Sequence, residues 1–405
     1  MKELRKIVSW LKQKSLYPVT PEVNSPHADK VIVDGKEKLL FATNNYLSLM
    51  NDPRVVQAAI VGLKKWGIGN GSARLLTGNL DIHGQLEKKI ADFKLRPAAL
   101  TFVSGYMANS GSIPALARVY DPSRFSLLRG ILHRDENCVI FSDELNHASI
   151  IAGIKMSGVP KEIYKHVDVD DLEIRLKKYS RAIRKIIITD GVFSMDGDVS
   201  PLPTILSLAK KYGAYVYLDD AHATGILGKN GRGMEDYYDV EGQSDIIMGT
   251  FTKAFGGVGG FIVGDQNLID YLRVSSDTFI FTAPIAPPVV YGLMKSIDIA
   301  MNEKWRREKV ISNASYLRDK LKNLGADICN STTQIIPVII GSEKGALGAS
   351  KMLFDEYDIF VPAARWPAVP RGRARLRMTV SCDHKKDQID YLVESIKKIK
   401  KSLNF

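Results

Sequence analysis

Short apolar runs alternate with segments of helical periodicity between residues 44 and 290. The runs are 99–103, 138–141, 185–189, 215–218, 246–248 and 260–263, and most end at polar residues or glycine. Continuous apolar strands separated by helices are typical of a mostly parallel sheet that is buried on both faces. Ligands of such sheets bind beyond the carboxyl ends of the strands. We therefore expect an α/β fold with a binding site at the polar strand ends.

Three parts are predicted along the chain: an N-terminal helix and arm at 1–43, a large domain at 44–290 and a smaller α+β domain at 291–405. Three prolines, Pro284, Pro287 and Pro288, interrupt the pattern near the second boundary. Residues 335–340 and 375–380 predict strands of the smaller domain. The first ten residues predict an amphipathic helix, which we expect to pack on its own domain, with a membrane surface as the alternative.

The composition is that of an ordinary globular protein, with 405 residues, 45% hydrophobic and 25% charged. The net charge of +11 would suit nucleic acid, a membrane or a polyanionic small molecule. The sequence contains no helix-turn-helix, zinc-finger or RNA-binding aromatic motif, so we expect no nucleic-acid partner. Coenzyme A would be an adequate acidic partner, and simple solubility explains the charge equally well. Without a membrane-spanning stretch or a signal peptide, we expect a cytoplasmic protein without integral membrane association.

Cysteine and glycine patterns exclude two kinds of site. Cys138, Cys329 and Cys382 are far apart and form no CxxC or CxxH spacing, so no metal site is expected and a reducing compartment fits. The glycine-rich segments 67–71 and 256–260 do not match G-x-G-x-x-G. A dinucleotide-binding motif is therefore not supported.

Lys253 is the most informative candidate residue. It lies in a hydroxyl- and glycine-rich segment after one apolar run, while Asp219 and His222 follow the preceding run. This arrangement is the one that pyridoxal phosphate (PLP) chemistry needs, because a lysine forms a Schiff base with the cofactor aldehyde and an aspartate keeps the pyridine nitrogen protonated. Singly, these residues would more often be a solvated lysine, a helix cap and a structural histidine.

Five motifs in this order resemble those of the α-oxoamine synthases, a fold-type-I PLP family. They are 44–49 (NNYLSL), 143–150 (DELNHASI), 190–198 (DGVFSMDGD), 219–222 (DDAH) and 249–253 (GTFTK). The resemblance extends from about residue 30 to the C-terminus. It implies the PLP-dependent transferase fold type I, in which the large domain has a mostly parallel sheet sandwiched by helices.

The resemblance also implies the roles of four catalytic residues. Lys253 would hold PLP and later act as the general base on the α-proton of an amino acid. Asp219 would pair with the pyridinium nitrogen. His222 would contact the phenolic oxygen, and His147 would stack on the ring face.

Further cofactor contacts follow from the same resemblance. Ser104, Gly105 and Tyr106, where a strand meets a helix, would offer backbone N–H groups to the phosphate. Thr250 would add a hydroxyl to the phosphate. Ser194 would support the ring hydroxyl.

The resemblance assigns the substrate carboxylate to an arginine of the strand at 375–380, with help from Asn44. A guanidinium binds a carboxylate through two parallel hydrogen bonds. We choose Arg377, with Arg375 as the second choice. As the alternative to ligand binding, Arg371, Arg373 and Arg375 would form one solvated face of an edge strand. Thr282 resembles the residue that the family donates from the partner subunit, which implies a homodimer with the site at the interface.

The implied reaction is a decarboxylative condensation of a small amino acid with an acyl-CoA, which yields an α-amino ketone, CoA and CO₂. The motifs at 190–198 and 219–222 look most like 8-amino-7-oxononanoate synthases of biotin synthesis, which use alanine and a pimeloyl thioester. Residues 77–83 and 249–253 favour serine palmitoyltransferases of sphingolipid synthesis. 2-Amino-3-ketobutyrate CoA ligase remains a further alternative, and Ser72 to Leu75 argue against 5-aminolevulinate synthases.

Two classes outside this reaction stay open, namely another fold-type-I enzyme such as an aminotransferase, and a non-catalytic assembly subunit. The complete set of four catalytic residues argues against the assembly subunit. An extra segment at 118–136 departs from the family pattern. We expect it near the acyl-CoA entrance or the dimer interface, with a tolerated surface insertion as an equal alternative.

Overall fold

A computed structural model describes residues 1–13, 17, 21–119, 138–179 and 184–403. The predicted segment at 118–136 therefore lies outside the described residues except for its first two. The strands are β1 (Lys30–Val33), β2 (Lys36–Leu40), β3 (Ala98–Phe102), β4 (Cys138–Asp143), β5 (Lys161–Tyr164), β6 (Arg184–Asp190), β7 (Tyr215–Asp219), β8 (Ile246–Thr250), β9 (Gly260–Gly264), β10 (Ile335–Gly341), β11 (Ile359–Phe360), β12 (Ala363–Ala364) and β13 (Ala374–Thr379).

Helices connect most of these strands. Their bounds are Lys2–Gln13, Pro53–Trp66, Asp81–Phe93, Gly105–Ala117, Ala148–Ser157, Val169–Lys178, Leu202–Tyr212, Met234–Tyr237, Gln266–Ser275, Asp277–Ile280, Pro287–Asn302, Lys304–Asn323, Glu343–Glu356 and Lys386–Leu403. Among them, no helix is both long enough and apolar enough to cross a bilayer.

Within the described residues, a seven-stranded sheet in the order β3-β9-β8-β7-β6-β4-β5 forms the centre of the fold. β8, β7, β6, β4 and β5 are parallel neighbours, and β9 runs antiparallel between β8 and β3. The mostly parallel sheet predicted from the apolar runs is thus confirmed. The short β5 was not predicted, because its sequence Lys-Glu-Ile-Tyr has no continuous apolar run.

The central sheet is buried on both faces. Alternate residues of β4 point to opposite sides, since Val139 and Phe141 belong to one apolar cluster and Cys138 and Ile140 to another. Two-residue alternation is the geometry of any strand, so both faces must be apolar for the strand to be buried. Each fully buried aliphatic or aromatic side chain contributes roughly 1.5–3 kcal/mol, which explains why the sheet is a rigid frame for its polar ends.

A third apolar cluster lies between the small sheet β10-β13-β12 and the C-terminal helices. The two strands predicted in this part, at 335–340 and 375–380, correspond to β10 and β13, which pair antiparallel. The predicted boundary at 290 falls inside the helix Pro287–Asn302, whose Val290, Leu293 and Ile297 pack into a cluster of the large sheet. The division into domains stays a prediction.

We expected the N-terminal helix to pack on its own domain, and it does not. None of its residues is buried, and Leu4, Ile7 and Trp10 are exposed. The amphipathic pattern therefore predicted the helix but not what its apolar face contacts.

Candidate active site

The carboxyl ends of β6, β7 and β8 bring the predicted residues to one edge of the sheet. β6 and β7 are in parallel register, so that Asp190 lies beside Asp219. After β8 the chain makes a tight loop that returns as β9, held by hydrogen bonds from Phe251 N to Gly259 O (2.9 Å) and from Gly256 N to Lys253 O (3.0 Å). Lys253 is thereby held beyond the strand ends.

The amine of Lys253 is kept partly uncharged by its surroundings. Burial lowers the pKa of Lys253 to about 8, and the positive charge of Arg377 acts in the same direction, while the Asp219 and Asp190 carboxylates oppose the shift. In the described residues the amine has no hydrogen-bond partner. A lysine with this pKa has a substantial neutral fraction near physiological pH, which a nucleophile or a general base requires.

Asp219 and Asp190 form a pair of neighbouring carboxyl groups. Asp219 accepts hydrogen bonds from Asn109 Nδ2 (2.7 Å) and from the backbone N–H of Ala221 (3.1 Å). Burial and then the charge of Asp219 raise the pKa of Asp190 well above its usual range. Of the two, Asp219 is the one whose carboxylate is hydrogen-bonded by an amide side chain, which suits it to a protonated ring nitrogen.

His147 is the N-cap residue of the helix Ala148–Ser157. Its backbone N–H donates to Asp190 Oδ2 (2.8 Å), and its ring Nδ1 lies 2.7 Å from Ser149 Oγ. Burial lowers the pKa of His147, the Asp219 carboxylate raises it and the Lys253 charge lowers it. The net result is a neutral imidazole beside Lys253 and Asp219.

His222 is buried and neutral, and its tautomer follows from its contacts. Burial, followed by the charges of Lys253, Arg377 and His147, lowers the pKa of His222 well below its usual range. Tyr46 Oη lies 2.8 Å from His222 Nδ1, and burial raises the pKa of Tyr46, so the phenol keeps its proton and donates it to Nδ1. The hydrogen of His222 is then on Nε2, where it can donate to an anionic oxygen of a ligand.

The two candidate arginines of β13 have different partners. Arg375 is fully buried, and its Nη1 donates to Asp196 Oδ1 (2.7 Å) and to the carbonyl of Met195 (3.1 Å). The solvated face expected for Arg375 is therefore wrong, because an ion pair with Asp196 holds it inside the protein. Arg377 donates from Nε to the carbonyl of Ser194 (2.6 Å), and its charge lowers the pKa of Lys253. These contacts support Arg377 as the substrate ligand, which stays a prediction.

Asn44, the predicted helper of this arginine, is exposed and lies near it. Its Oδ1 lies 3.3 Å from Tyr46 Oη, whose hydrogen is used in the shorter contact with His222. Because Arg377 also interacts with the phenol of Tyr46, both predicted carboxylate ligands lie around one tyrosine.

The predicted phosphate ligands lie at the N-terminus of the helix Gly105–Ala117. Ser104 is its N-cap and accepts from Met107 N (3.1 Å), whereas the N–H groups of Gly105 and Tyr106 belong to the first turn, which has no acceptor within the helix. A Cβ atom on Gly105 would lie 3.3 Å from Thr250 Oγ1, and one on Gly260 would lie 2.6 Å from Gly105 Cα. The backbone clash at 260 requires a glycine there, whereas a Cβ atom at 105 would make only a tight contact with Thr250.

Of the remaining predicted residues, Ser194 contacts another site residue and Thr282 does not. Ser194 lies in the turn that closes with Gly197 N donating to Phe193 O (2.8 Å), and its carbonyl contacts Arg377. Thr282 Oγ1 instead donates to the Thr278 carbonyl (2.6 Å). Within the described residues no hydrogen bond joins Thr282 to the other predicted ligands, and its role stays a prediction.

The sequence did not predict Tyr46, Asn109 and Asp190 as site residues. Tyr46 and Asp190 stand inside quoted motifs, so the motifs themselves could have indicated them. Asn109 lies in the middle of a helix without any local signal, and its contact with Asp219 spans 110 positions of the chain.

A histidine outside the site holds two of its loops together. His166 bridges Asp143 (Nδ1 to Oδ1, 3.0 Å) and Asp198 (Nε2 to Oδ2, 2.8 Å), and the edge of its ring packs against Phe193 with centroids 4.4 Å apart. Burial lowers the pKa of His166, but the two carboxylates outweigh it and raise that pKa to about 10. The resulting imidazolium connects the loop before His147 to the turn of Ser194.

The residues present fit PLP. PLP has an aldehyde, a phenolic oxygen, a ring nitrogen and a phosphate. The site offers an amine with a pKa of about 8, a histidine N–H, a carboxylate and a helix N-terminus, in that order. The glycine pair at 105 and 260 forms the cradle that an anion needs at the helix start.

The chain is similar to known proteins over nearly its whole length. The family model of aminotransferase class I and II matches residues 36–396. An 8-amino-7-oxononanoate synthase from Thermoanaerobacter pseudethanolicus is 43% identical over 97% of this chain and 95% of its own length. A second one, from Thermosipho melanesiensis, is 39% identical over 98% of this chain and 97% of its own length.

Solved structures show the same fold. A serine palmitoyltransferase from S. paucimobilis, solved with a bound PLP–myriocin aldimine, is 30% identical and superimposes with a TM-score of 0.90 over 99% of this chain and 98% of that chain. The 8-amino-7-oxononanoate synthase from Francisella tularensis is 25% identical, with a TM-score of 0.75 over 91% of this chain and 99% of that one. The predicted fold type and the predicted family resemblance are thereby confirmed.

Covalent uptake of PLP by the apo chain should depend on pH with a midpoint near 8. Only a neutral amine attacks an aldehyde, and burial lowers the pKa of Lys253 to about 8. The measurement is the rate of the absorbance change on mixing apo chain with PLP, with borohydride fixation and peptide mapping to locate the modified residue. Lys253→Ala should abolish fixation, whereas Lys88→Ala, at an exposed lysine, should leave it intact. A midpoint at the ordinary pKa of lysine would contradict the burial argument.

His166→Gln should destabilise the protein at neutral pH and not at strongly alkaline pH. The folded-state pKa of about 10 lies above the usual value of 6.5, so the stabilisation is complete below pH 6.5 and is lost as the pH rises through about 10. We expect a loss of roughly 1.5–3 kcal/mol in the free energy of unfolding at pH 7, measured by urea denaturation across pH.

His27→Gln is the matched control, because the ring of His27 has no hydrogen-bond partner in the described residues, and it should change stability little at any pH. A destabilisation by His166→Gln that is the same at pH 7 and above pH 10 would show that the imidazolium charge is not the cause.

Proposed function

Because the chain belongs to the aminotransferase class I and II family, in its α-oxoamine synthase branch of PLP-dependent acyltransferases, we propose that it condenses a small amino acid with an acyl thioester to give an α-amino ketone, free thiol and CO₂. The best candidate pair is alanine with a pimeloyl thioester. The observation that carries this choice is the near full-length identity of 38–43% to relatives named 8-amino-7-oxononanoate synthase.

PLP supplies, when bound, an electron-accepting ring that stabilises negative charge on the α-carbon of the amino acid. In our proposal Lys253 would hold the cofactor through Nζ, and its amine would also remove the α-proton of the amino acid. With a pKa of about 8, the Nζ atom can accept this proton and return it at neutral pH. Asp219 would stabilise the protonated ring nitrogen, and the Nε2–H of His222 would stabilise the phenolic oxygen.

Substrate positioning falls to the residues around Tyr46. Arg377 binds the carboxylate of the amino acid, and Asn44 assists at the exposed side. The α-carbon forms a bond to the thioester carbonyl while the C–S bond breaks and the thiolate leaves, taking a proton. The bond to the carboxyl carbon then breaks, CO₂ departs, and Lys253 delivers a proton to the same α-carbon.

A serine palmitoyltransferase activity, with serine and a long-chain acyl-CoA, is the second candidate. It is favoured by the solved structures, since a serine palmitoyltransferase superimposes with the higher TM-score of 0.90, against 0.75 for the solved 8-amino-7-oxononanoate synthase. Identity favours the opposite choice, at 43% to an 8-amino-7-oxononanoate synthase and 30% to a serine palmitoyltransferase. We give identity more weight, because substrate choice depends on side chains rather than on backbone course.

A homodimer is part of the proposal. Ile68, Leu76 and Phe281 are 82%, 75% and 78% exposed, and they lie on two loops that Asn70 joins by donating to the Pro284 carbonyl (2.8 Å). Exposed apolar residues on neighbouring loops mark an interaction surface. Thr282 follows Phe281 directly, so a second copy on this surface would bring its own Thr282 towards the site.

The substrate pair is tested by product analysis with alanine, serine and glycine against pimeloyl, short-chain and palmitoyl thioesters. We expect free thiol and CO₂ in equal amounts, with the highest kcat/KM for alanine and the pimeloyl thioester. A preference for serine with palmitoyl-CoA selects the second candidate. Thiol release without CO₂ indicates the 2-amino-3-ketobutyrate CoA ligase reaction, and amino-group transfer to a keto acid contradicts the condensation altogether.

Arg377→Ala should raise the KM for the amino acid by about 10-fold or more, because a hydrogen-bonded ion pair with the carboxylate contributes roughly 1.5–3 kcal/mol. Arg371→Ala is the matched control, since the Arg371 guanidinium lies over the ring of Trp366, and the KM of this variant should stay near that of the unmodified protein. Equal effects of both substitutions would refute the role of Arg377.

The dimer is tested by mixing two defective chains, one with Lys253→Ala and the other with Thr282→Val. If Thr282 acts on the site of the partner, each mixed dimer contains one site with both native residues, and we expect activity well above that of either variant alone. Sedimentation should show a dimer, and Phe281→Asp should yield monomers whereas Trp305→Asp, at another exposed apolar residue, should not. Absence of recovery in verified mixed dimers would contradict action in trans.

A further inference from the structure

A buried hydrogen-bond chain joins Asp219 to His147. Asn109 Nδ2 lies 2.7 Å from Asp219 Oδ2 and 2.8 Å from Ser149 Oγ, and Ser149 Oγ lies 2.7 Å from His147 Nδ1. Asn109, Ser149 and Asp219 are all at least nine-tenths buried. Groups so enclosed exchange no hydrogen bonds with solvent, so each donor must be matched to an acceptor within the chain of contacts.

The direction of the amide of Asn109 is determined by its partners. An ionised carboxylate only accepts, so the atom beside Asp219 is the amide nitrogen. The amide oxygen lies 2.8 Å from Tyr217 Oη, and burial raises the pKa of Tyr217 well above its usual range, so the phenol keeps its hydrogen and donates it. Both hydrogens of Nδ2 are therefore used, one on Asp219 and one on Ser149.

The hydrogen bonds of Ser149 then determine which nitrogen of His147 carries the hydrogen. Ser149 Oγ accepts from Asn109, so its own hydrogen is free to point at His147 Nδ1. The backbone N–H of Ser149 also donates to Nδ1 (3.2 Å). With two donors aimed at it, Nδ1 acts as an acceptor, and the ring hydrogen of His147 is on Nε2.

We propose that Asn109 is a positioning residue that orients the carboxylate of Asp219 towards the cofactor nitrogen and, through Ser149, sets His147 as the Nε2–H tautomer. This inference rests on the proposed function, because it assigns these two side chains to the ring of PLP. It adds a residue that touches neither substrate nor cofactor and that couples the ring-nitrogen partner to the ring-face histidine.

The position of Asn109 in its helix strengthens the inference. Asn109 stands four residues after Gly105, one turn into the helix Gly105–Ala117, so both lie on the same helix face. The face that presents the first-turn N–H groups to an anion thus also holds Asp219. An aspartate at 109 would place a second carboxyl group against Asp219, and a leucine would leave Tyr217, Ser149 and Asp219 without their shared partner.

The experiment compares Asn109→Leu and Ser149→Ala with the control Ser112→Ala. The control removes another buried hydroxyl that contacts Tyr217 Oη (2.8 Å) but leaves every contact of Asn109 in place. The first readout is the dissociation constant for PLP. We expect a rise of 10-fold or more for Asn109→Leu, since the lost contact is with a charged group, and less than threefold for Ser112→Ala.

The second readout is the long-range ¹H–¹⁵N spectrum of the ¹⁵N-histidine-labelled chain without substrates. The chain has seven histidines, and His147→Gln identifies the signal. The unmodified protein should show the Nε2–H tautomer for His147. Ser149→Ala should shift the Nδ1 resonance of His147, because Nδ1 then accepts only the weaker hydrogen bond from the backbone N–H of residue 149. Asn109→Leu should populate the Nδ1–H tautomer of His147, because Ser149 Oγ then becomes a free acceptor.

A His147 spectrum and a PLP dissociation constant that both remain unchanged in Asn109→Leu would overturn the proposal. If that variant does not fold, an unchanged Nδ1 resonance in the folded Ser149→Ala would overturn it equally. Both readouts need only PLP and the chain. If both readouts give the expected results but the protein releases no CO₂ from amino acid and thioester, the proposed function is contradicted and the role of Asn109 is not.

Discussion

The side-by-side register of β6, β7 and β8 is the constraint on which the site depends. These strands are parallel, so their carboxyl ends lie at the same edge of the sheet, and Asp190, Asp219 and Met248 lie in one row. Lys253 follows this row within five residues. The row brings two carboxyl groups close to one amine, and each then changes the protonation of the others: the charge of Asp219 raises the pKa of Asp190, while both carboxylates limit how far burial lowers that of Lys253.

Desolvation is the common cause of the chemistry around this row. Burial is the largest effect on Lys253, His147 and His222, and in each case it disfavours the protonated form. The guanidinium of Arg377 adds to the effect on Lys253 and His222. The site therefore combines neutral nitrogen atoms, which can exchange protons or donate hydrogen bonds near neutral pH, with a fixed cation that attracts a carboxylate. Outside it, the His166 imidazolium uses the opposite balance, because two carboxylates outweigh its burial.

The sequence predicted what is encoded locally. Apolar runs predicted the strands of the central sheet, and short motifs predicted Lys253 and Asp219 at the strand ends. The contacts of Asn109 and Tyr46 were not predictable in this way, since they join positions 110 and 176 residues apart. The choice between the arginines of β13 depends on where Asp196 lies, which the alternating pattern does not contain. The N-terminal helix was predicted as a helix but given the wrong packing, because amphipathicity does not identify the partner of an apolar face.

The helix Gly105–Ala117 has a consequence for which molecules the site accepts. Its first turn offers N–H groups to an anion, and Asn109, about 6 Å further along the axis, holds the carboxylate of Asp219. This one helix therefore fixes the distance between the N–H groups that bind an anion and the carboxylate that binds a protonated heterocycle. Gly260 allows this helix to lie close to the sheet, because the Cβ atom of a larger residue there would lie 2.6 Å from Gly105 Cα. Ring compounds with a shorter or longer arm to their anionic group would satisfy one end of the helix face and miss the other.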